Sequence, residues 1–288
     1  MIKKAVITAG GLGSRFLPYT KEFPREMLPI FYKDGDKLLV KPLLQISFEL
    51  LYNIGIREFC FIVGRGKRSI EDHFTPDIAH LDFLKSRNNK AAKHLEKFYN
   101  MLDNSEITWK NQPYPIGFGD AVMRARSFIN SDNFIVWAGD DYIHSPQYKF
   151  IKEIIDVFER NNAKVVLSAE RVDNPERFGV IVGNKVGDGL YRVTDMIEKP
   201  KNPPSNLTAV GVYVFSPAIF DALKKIPFGV NNEKQLTDAV QYLIRTNQPV
   251  FAKEMGKDEM RIDVGKPESY KVALERSHGL FRSECYEE

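Results

Sequence analysis

Residues 2–30, IKKAVITAGGLGSRFLPYTKEFPREMLPI, decide the fold. Ala5, Val6 and Ile7 form a short apolar run that reads as a buried strand. Gly10, Gly11 and Gly13 follow at once. Without side chains they let backbone N–H groups approach a ligand. Arg15, Lys21 and Arg25 then supply cations suited to a polyphosphate. The stretch reads as a cradle for a nucleoside triphosphate. It lacks the GK[ST] ending of a P-loop and the G-x-G-x-x-G spacing of a dinucleotide fold. Pro18 and Pro24 argue against one long helix behind the glycines.

Outward from this segment, strands and helices alternate. Leu43 to Ile54 carries an apolar helical face, Gly55 suits its stop, and Phe59 to Val63 is a second buried strand. Strand, helix and strand within this span predict a βαβ crossover and a parallel sheet. Residues 75–105 are charged and poor in β-branched types. They read as an exposed helical insertion, either padding, a lid or a subunit contact. Short strands at Ile107–Trp109, Phe134–Ala138 and Lys164–Ala169 continue the winding, with an amphipathic helix over Tyr148–Arg160. From residue 170 to 215 the pattern turns to a β-hairpin, FGVIV to EKP, and a further strand at Ala209–Phe215. Helices at 217–225, 234–246 and 267–278 and strands at 250–254 and 260–264 complete one α/β domain over residues 1–288. Its predicted core is a Rossmann-like, mixed and mainly parallel sheet flanked by helices, with the hairpin as an extension.

Composition narrows the functional classes. With 41 Lys and Arg against 38 Asp and Glu, the charge of +3 gives no nucleic-acid footprint. No apolar run reaches the roughly 20 residues that span a bilayer, and no signal peptide opens the chain, so a cytoplasmic protein is expected. Cys60 and Cys285 make no disulfide framework, and Cys60 reads as a buried apolar residue. The five histidines form no catalytic pattern and no G-x-S-x-G is present, so hydrolysis by a serine nucleophile is not expected. His73 and His278 read as solvated or capping groups.

In α/β sheets, ligands gather beyond the carboxyl ends of the strands. Asp140 sits just after the strand FIVWAG, and Asp263 ends another before a glycine. Two distant carboxylates sharing one ion with phosphate oxygens would suit Mg²⁺; each also reads as a turn former or helix cap. Asp141 is adjacent and competes with Asp140. Gln112, in QPYPIGFGDAV, carries both a donor and an acceptor, which fits the edge of a uracil or thymine ring; alone it is also an ordinary loop residue. Glu198-Lys199-Pro200 alone is a surface ion pair before a turn.

Ala9 to Pro29 resembles the signature of the sugar-1-phosphate nucleotidylyltransferases, roughly AGxGTRxLPxTKxxPKExLP, and is most similar to their bacterial and archaeal UTP–glucose-1-phosphate uridylyltransferase branch. The likeness runs over residues 2–278, including the helical stretch at 75–105. It implies an enzyme that joins UTP and glucose 1-phosphate into UDP-glucose and pyrophosphate. By this resemblance Arg15, Arg25 and the amides of Gly10, Gly11 and Gly13 hold the triphosphate. Ala9, Gly10, Glu26, Gln112 and Gly117 contact base and ribose. Asp140 and Asp263 hold Mg²⁺. Lys199 takes the sugar phosphate, while Gly179, Glu198 and Gly211 line the sugar, which the hairpin covers. A homo-oligomer, dimer or tetramer, is implied as well. Departures from the pattern are Ser14 for Thr, Arg25 for Lys, the bulky Tyr114-Pro115-Ile116, and Thr8 and Gly10 where relatives often have Pro and Ala. Those around the base pocket bear on UTP against dTTP, and a thymidylyltransferase is the nearest alternative. A non-catalytic nucleotide-sugar sensor is the alternative of another class.

Overall fold

The computed structural model describes residues 2–35 and 37–282; Cys285 lies outside them. In chain order the first half holds β1 (Lys4–Ala9), the hairpin β2 (Pro29–Asp34) and β3 (Lys37–Pro42), α1 (Leu43–Asn53), β4 (Glu58–Val63), α2 (Arg68–His73), α3 (Ile78–Ser86), α4 (Ala92–Asp103) and β5 (Glu106–Asn111). Next come α5 (Phe118–Arg124), α6 (Arg126–Ile129), β6 (Phe134–Ala138), β7 (Asp141–His144), α7 (Lys149–Arg160) and β8 (Val165–Arg171). The rest comprises β9 (Gly179–Gly187), β10 (Leu190–Glu198), β11 (Leu207–Phe215), α8 (Ala218–Lys225), α9 (Leu236–Arg245), β12 (Val250–Glu254), β13 (Met260–Asp263) and α10 (Pro267–Arg282).

Nine strands form one sheet in the order β5-β4-β1-β6-β11-β8-β12-β10-β9. β5, β4, β1 and β6 are mutually parallel, β8 and β12 are parallel to each other, and only β10 and β11 run against the rest. The sheet is therefore mixed and mainly parallel, as the sequence predicts. Its central strands β1, β4, β6, β8 and β11 are near-continuous apolar runs because both their faces are covered, whereas β5 is only half-buried and the outer part of β9 is exposed. Ala5, Ile7, Phe59, Phe61, Ile135 and Trp137 face one layer, built on α1, α4 and α7. Val6, Cys60, Ile62, Phe134 and Val136 alternate with them and face the other, built on α5, α8 and α9. Cys60 is fully buried, and burial pushes its thiol up to about 12.

The β9–β10 hairpin extends the sheet at its far edge through β12, and Val180 also pairs with Thr208 of β11, curling that edge inward. α9 clamps β10: Gln241 accepts from the Met196 N–H and donates to Asp195. β11 bulges between Ala209 and Tyr213, and the Ser168 hydroxyl donates to the freed Val212 carbonyl at 2.6 Å. Two strands went unread in the sequence, β2 and β7; β7 pairs with β13 as a separate ribbon. The insertion at 75–105 resolves into α3 and α4. α4 buries Phe98, Met101 and Leu102 against the core, so this stretch is partly structural.

His73 departs from its reading. It closes α2 and packs against Phe98 and Phe74, at 5.3 and 5.5 Å. The Gln45 amide nitrogen donates to Glu49, so its oxygen faces His73, whose Nε2–H donates to it at 2.9 Å. Burial pushes this imidazole down to about 4. An unfolded imidazole takes its proton near pH 6.5, the folded one near 4, so stability is lost as pH falls through that window. His73→Gln keeps a neutral donor without the titration. In urea unfolding, the variant should gain on the wild type by about 2 kcal/mol between pH 7 and pH 5; an unchanged gap would contradict the assigned burial effect.

Candidate active site

Parallel pairing brings four strand ends to one edge. Ala9 lies beside Val63, Val63 beside Asn111, and Thr8 beside Ala138. Each end is followed by a group of chemical interest: Gly10–Gly13, Gly64–Lys67, Gln112, and Gly139-Asp140. Behind the glycines the chain makes three single 3-10 turns at 14–16, 19–21 and 25–27, divided by Pro18 and Pro24. Gly13, at φ +65°, turns left-handed to start the first, and the Thr20 hydroxyl donates to its carbonyl at 2.7 Å.

These elements enclose a cleft of about 400 Å³ lined by Gly10, Gly11, Arg15, Arg25, Glu26, Gln112, Gly117 and Asp140. Eight of the sequence-derived site residues thus meet in one hollow. Ala9 is buried beneath it as the last residue of β1.

Charges alternate across the cleft floor. Lys67 donates to Glu26 Oε2 at 2.8 Å, the Arg25 Nε lies 3.5 Å from Glu26 Oε1, and Arg25 Nη2 is 2.7 Å from Asp140 Oδ2. Glu26 is 1% exposed and Lys67 8%, so neither charge would be tolerated alone. Burial works against the Arg25 charge. Asp140, Glu26 and, more weakly, Asp263 outweigh it and raise its pKa above the ordinary arginine value. The sequence reading does not include Lys67, although it follows Gly64 and Gly66 just past the end of a parallel strand, the same signal that marks the first loop.

Gln112 is buried and its orientation is fixed. Its Nε2 donates to the Asp120 carboxylate at 3.0 Å and to the Gly117 carbonyl at 3.1 Å. Only the nitrogen can face two acceptors, so the amide cannot be turned over. Arg124 holds Asp120 in turn with two contacts, at 3.1 and 3.3 Å. The pole left for a ligand is Gln112 Oε1, an acceptor. A Cβ on Gly10 would lie 2.2 Å from that oxygen, so glycine makes room for this rotamer.

Asp140 and Asp141 separate cleanly. Asp141 is 5% exposed, receives a bidentate pair from Arg261 at 2.7 and 2.9 Å and accepts the Gly211 N–H at 3.1 Å. Burial raises its pKa to about 6, and Arg261 opposes that rise. Asp141 is thus a framework residue, Gly211 is turned to it, and Asp140 is left for the cleft. β7–β13 pairing sets Asp263 opposite Asp141, and the Val264 N–H donates to the Asp140 carbonyl at 3.0 Å. Arg15 Nη1 donates to the Gly265 carbonyl at 3.4 Å. Arg15, Asp140 and Asp263 therefore share one neighbourhood, although Asp263 opens mainly onto an adjoining hollow with Arg261 and Lys266. Among the described residues, no cluster of three or more acidic, histidine or cysteine side chains could hold a metal. Two half-buried carboxylates, one already carrying a guanidinium, fit a hard divalent ion that takes its other ligands from water and phosphate.

Glu198 and Lys199 lie outside this cleft, at the end of β10. Glu198 accepts from the Thr237 hydroxyl at 2.6 Å and pairs with Lys199 at 2.9 Å; Lys199 stays exposed. Gly179 is the register partner of Glu198, and a Cβ there would meet Thr237 Oγ1 at 3.0 Å. Between the two groups stands Tyr213, whose pKa the Glu198 and Asp141 charges both raise after burial, and whose ring is 5.9 Å from Phe118 of the cleft. From Thr208, beside the hairpin, to Gly211, beside Asp141, is three residues of β11, about 10 Å.

A model of the nucleotidyl transferase family matches residues 4–278, and the chain belongs to that family. Within it, the protein named UTP–glucose-1-phosphate uridylyltransferase from Streptococcus pneumoniae serotype 4 is 36% identical over 271 residues, covering 92% of this chain and 86% of the relative. The protein of that name from Mycoplasma pneumoniae is 35% identical over 269 residues, covering 92% and 88%. Among solved structures, a UDP-glucose pyrophosphorylase complexed with UDP-glucose superimposes with a TM-score of 0.83 at 31% identity, covering 99% of this chain and 100% of that one. An apo UDP-glucose pyrophosphorylase gives 0.86 at 30% identity, covering 98% and 99%. The likeness seen in Ala9–Pro29 therefore extends across the whole fold.

The two adjacent aspartates should behave differently on mutation. Asp141→Asn leaves Arg261 buried with half its pairing and should lower unfolding stability by about 3 kcal/mol. Asp140→Asn, partly exposed and with Glu26 still beside Arg25, should cost under about 1 kcal/mol. Equal urea midpoints for the two variants would refute the division of roles.

Proposed function

We propose that this chain transfers a uridylyl group from UTP to α-D-glucose 1-phosphate, giving UDP-glucose and pyrophosphate. The observation that carries this reading is the single sheet edge holding a glycine cradle, two arginines, a fixed Gln112 acceptor and Asp140. The relatives' names supply the substrates. Uracil presents N3–H as a donor, and Gln112 Oε1 is the matching acceptor; cytosine has no donor there. No observation here favours dTTP or a non-catalytic sensor.

In the reaction, a phosphate oxygen of glucose 1-phosphate attacks the α-phosphorus of UTP. That P–O bond forms as the bond to the bridging oxygen breaks, and pyrophosphate leaves. The attacking oxygen is already anionic at neutral pH, so no protein base or nucleophile is required. The chain's part is positioning and charge neutralisation. The amides of Gly10, Gly11 and Gly13 with Arg15 and Arg25 hold the triphosphate and meet the charge that grows on pyrophosphate. Lys199 aims the attacking phosphate, and Glu198, steadied by Thr237, accepts from sugar hydroxyls. Asp140 and Asp263 would hold a divalent ion, assigned as Mg²⁺, which when bound would supply Lewis-acid charge neutralisation. Cytoplasmic location and a homo-oligomer, with α3 and α4 as a subunit contact, belong to the same proposal.

Asp140→Asn should lower kcat by at least about a hundredfold while the fold is kept. Pyrophosphate release measured with UTP, dTTP, CTP, ATP and GTP should show UTP the best donor. Near-normal turnover of the variant, or a flat nucleotide profile, would sink this assignment.

A further inference from the structure

Arg25 stands where the family pattern has lysine, and it reaches Asp140, which has no other side-chain partner among the described residues. Its guanidinium is poorly satisfied there. Nη2 has Asp140 at 2.7 Å, but Nε is buried without a hydrogen-bond acceptor, with Glu26 Oε1 only at 3.5 Å. Buried donors left open in a cleft mark a place where a ligand completes the bonding. Glu26 cannot release Arg25 by taking it fully, because Lys67 already holds Oε2 at 2.8 Å. Arg25 thus parks a cation on a proposed metal ligand.

We propose that Arg25 is the resident counter-ion of Asp140, and that it makes divalent-cation binding at Asp140 conditional on the nucleotide's phosphates. The inference rests on the reading of Asp140 as a metal ligand. With no nucleotide bound, a divalent ion arriving at Asp140 meets the guanidinium across one carboxylate, and like charges repel in a poorly solvated site. A triphosphate removes the obstacle: its oxygens offer the planar fork of Arg25 a bidentate partner and neutralise the summed positive charge. Asp140 is then free for the ion. Linkage requires the converse, that the ion raise nucleotide affinity by the same factor. A lysine, a point charge on a flexible stem, would park less firmly, so the coupling is a property of the arginine in this chain.

Mn²⁺ alone is the probe, its binding to the nucleotide-free protein followed by water-proton relaxation enhancement. Wild type should bind it weakly. Arg25→Met should bind it at least about tenfold more tightly, and Arg25→Gln provides the same test should the methionine variant not fold. Adding Asp140→Asn to either should abolish the gain. Equal Mn²⁺ affinity in wild type and the Arg25 variants overturns the inference while leaving the enzyme assignment intact. A gain that survives Asp140→Asn overturns it too, since the ion then sits elsewhere. If Asp140→Asn alone changes neither turnover nor Mn²⁺ binding, the metal-ligand reading fails and the inference with it.

Discussion

An aspartate with 5% exposure, flanked by two further acids, is the constraint on which the site is built. Asp141 is acceptable inside the molecule only because Arg261 meets both its oxygens and Gly211 adds an N–H. That requirement ties β7 to β13 and fixes the ribbon against β11. The ribbon then fixes where Asp140 and Asp263 project. A pair buried behind the cleft therefore sets the geometry of the two carboxylates proposed to hold the ion.

The same logic runs along the cleft floor. Lys67, Glu26, Arg25 and Asp140 alternate in sign, each beside an opposite charge, in a region where water screens little. Such a row is rigid at its buried end and adaptable at its open end. Glu26 and Lys67 are enclosed, whereas Arg25 and Asp140 keep 20% and 24% of their side chains exposed. The ligand-facing groups are those whose partners can be exchanged, and the groups behind them hold still. Gln112 follows suit: Asp120 and Arg124 fix its nitrogen, leaving only its oxygen for a ligand.

Much of this was legible in the sequence because it is local. An apolar run that ends in glycines, or in Gly139-Asp140, announces a strand end without knowledge of its neighbours. Parallel pairing then does the assembly, which is why Gly10, Gln112 and Asp140 meet. What escaped notice depends on partners remote in the chain. Lys67 finds Glu26 across 41 positions and Arg261 finds Asp141 across 120. Nothing near Asp141 distinguishes it from Asp140; the distinction lies in Arg261. His73 misled for a related reason: the turn-and-charge context around it is polar, and the aromatic wall that excludes water comes from α1, α4 and its own neighbour Phe74. β2 was obscured by prolines before it and charges after it.

The bulge in β11 has an arithmetic side. Ala209 pairs with Ala169 and Tyr213 with Leu167, so four steps on one strand answer two on the other. The surplus is even. Side chains on either side of the irregularity therefore keep their faces, with Val210, Val212 and Val214 on one layer and Tyr213 and Phe215 on the opposite one. The β9–β10 hairpin takes the other course: between Val193 and Asp195 two steps on β10 answer one on β9, yet Val193 and Met196 face the same layer, because the kink itself interrupts the alternation. Surplus chain in this sheet is thus absorbed in two ways: in a pair that leaves the alternation untouched, beside the aspartates, and singly at a kink that resets it, in the hairpin.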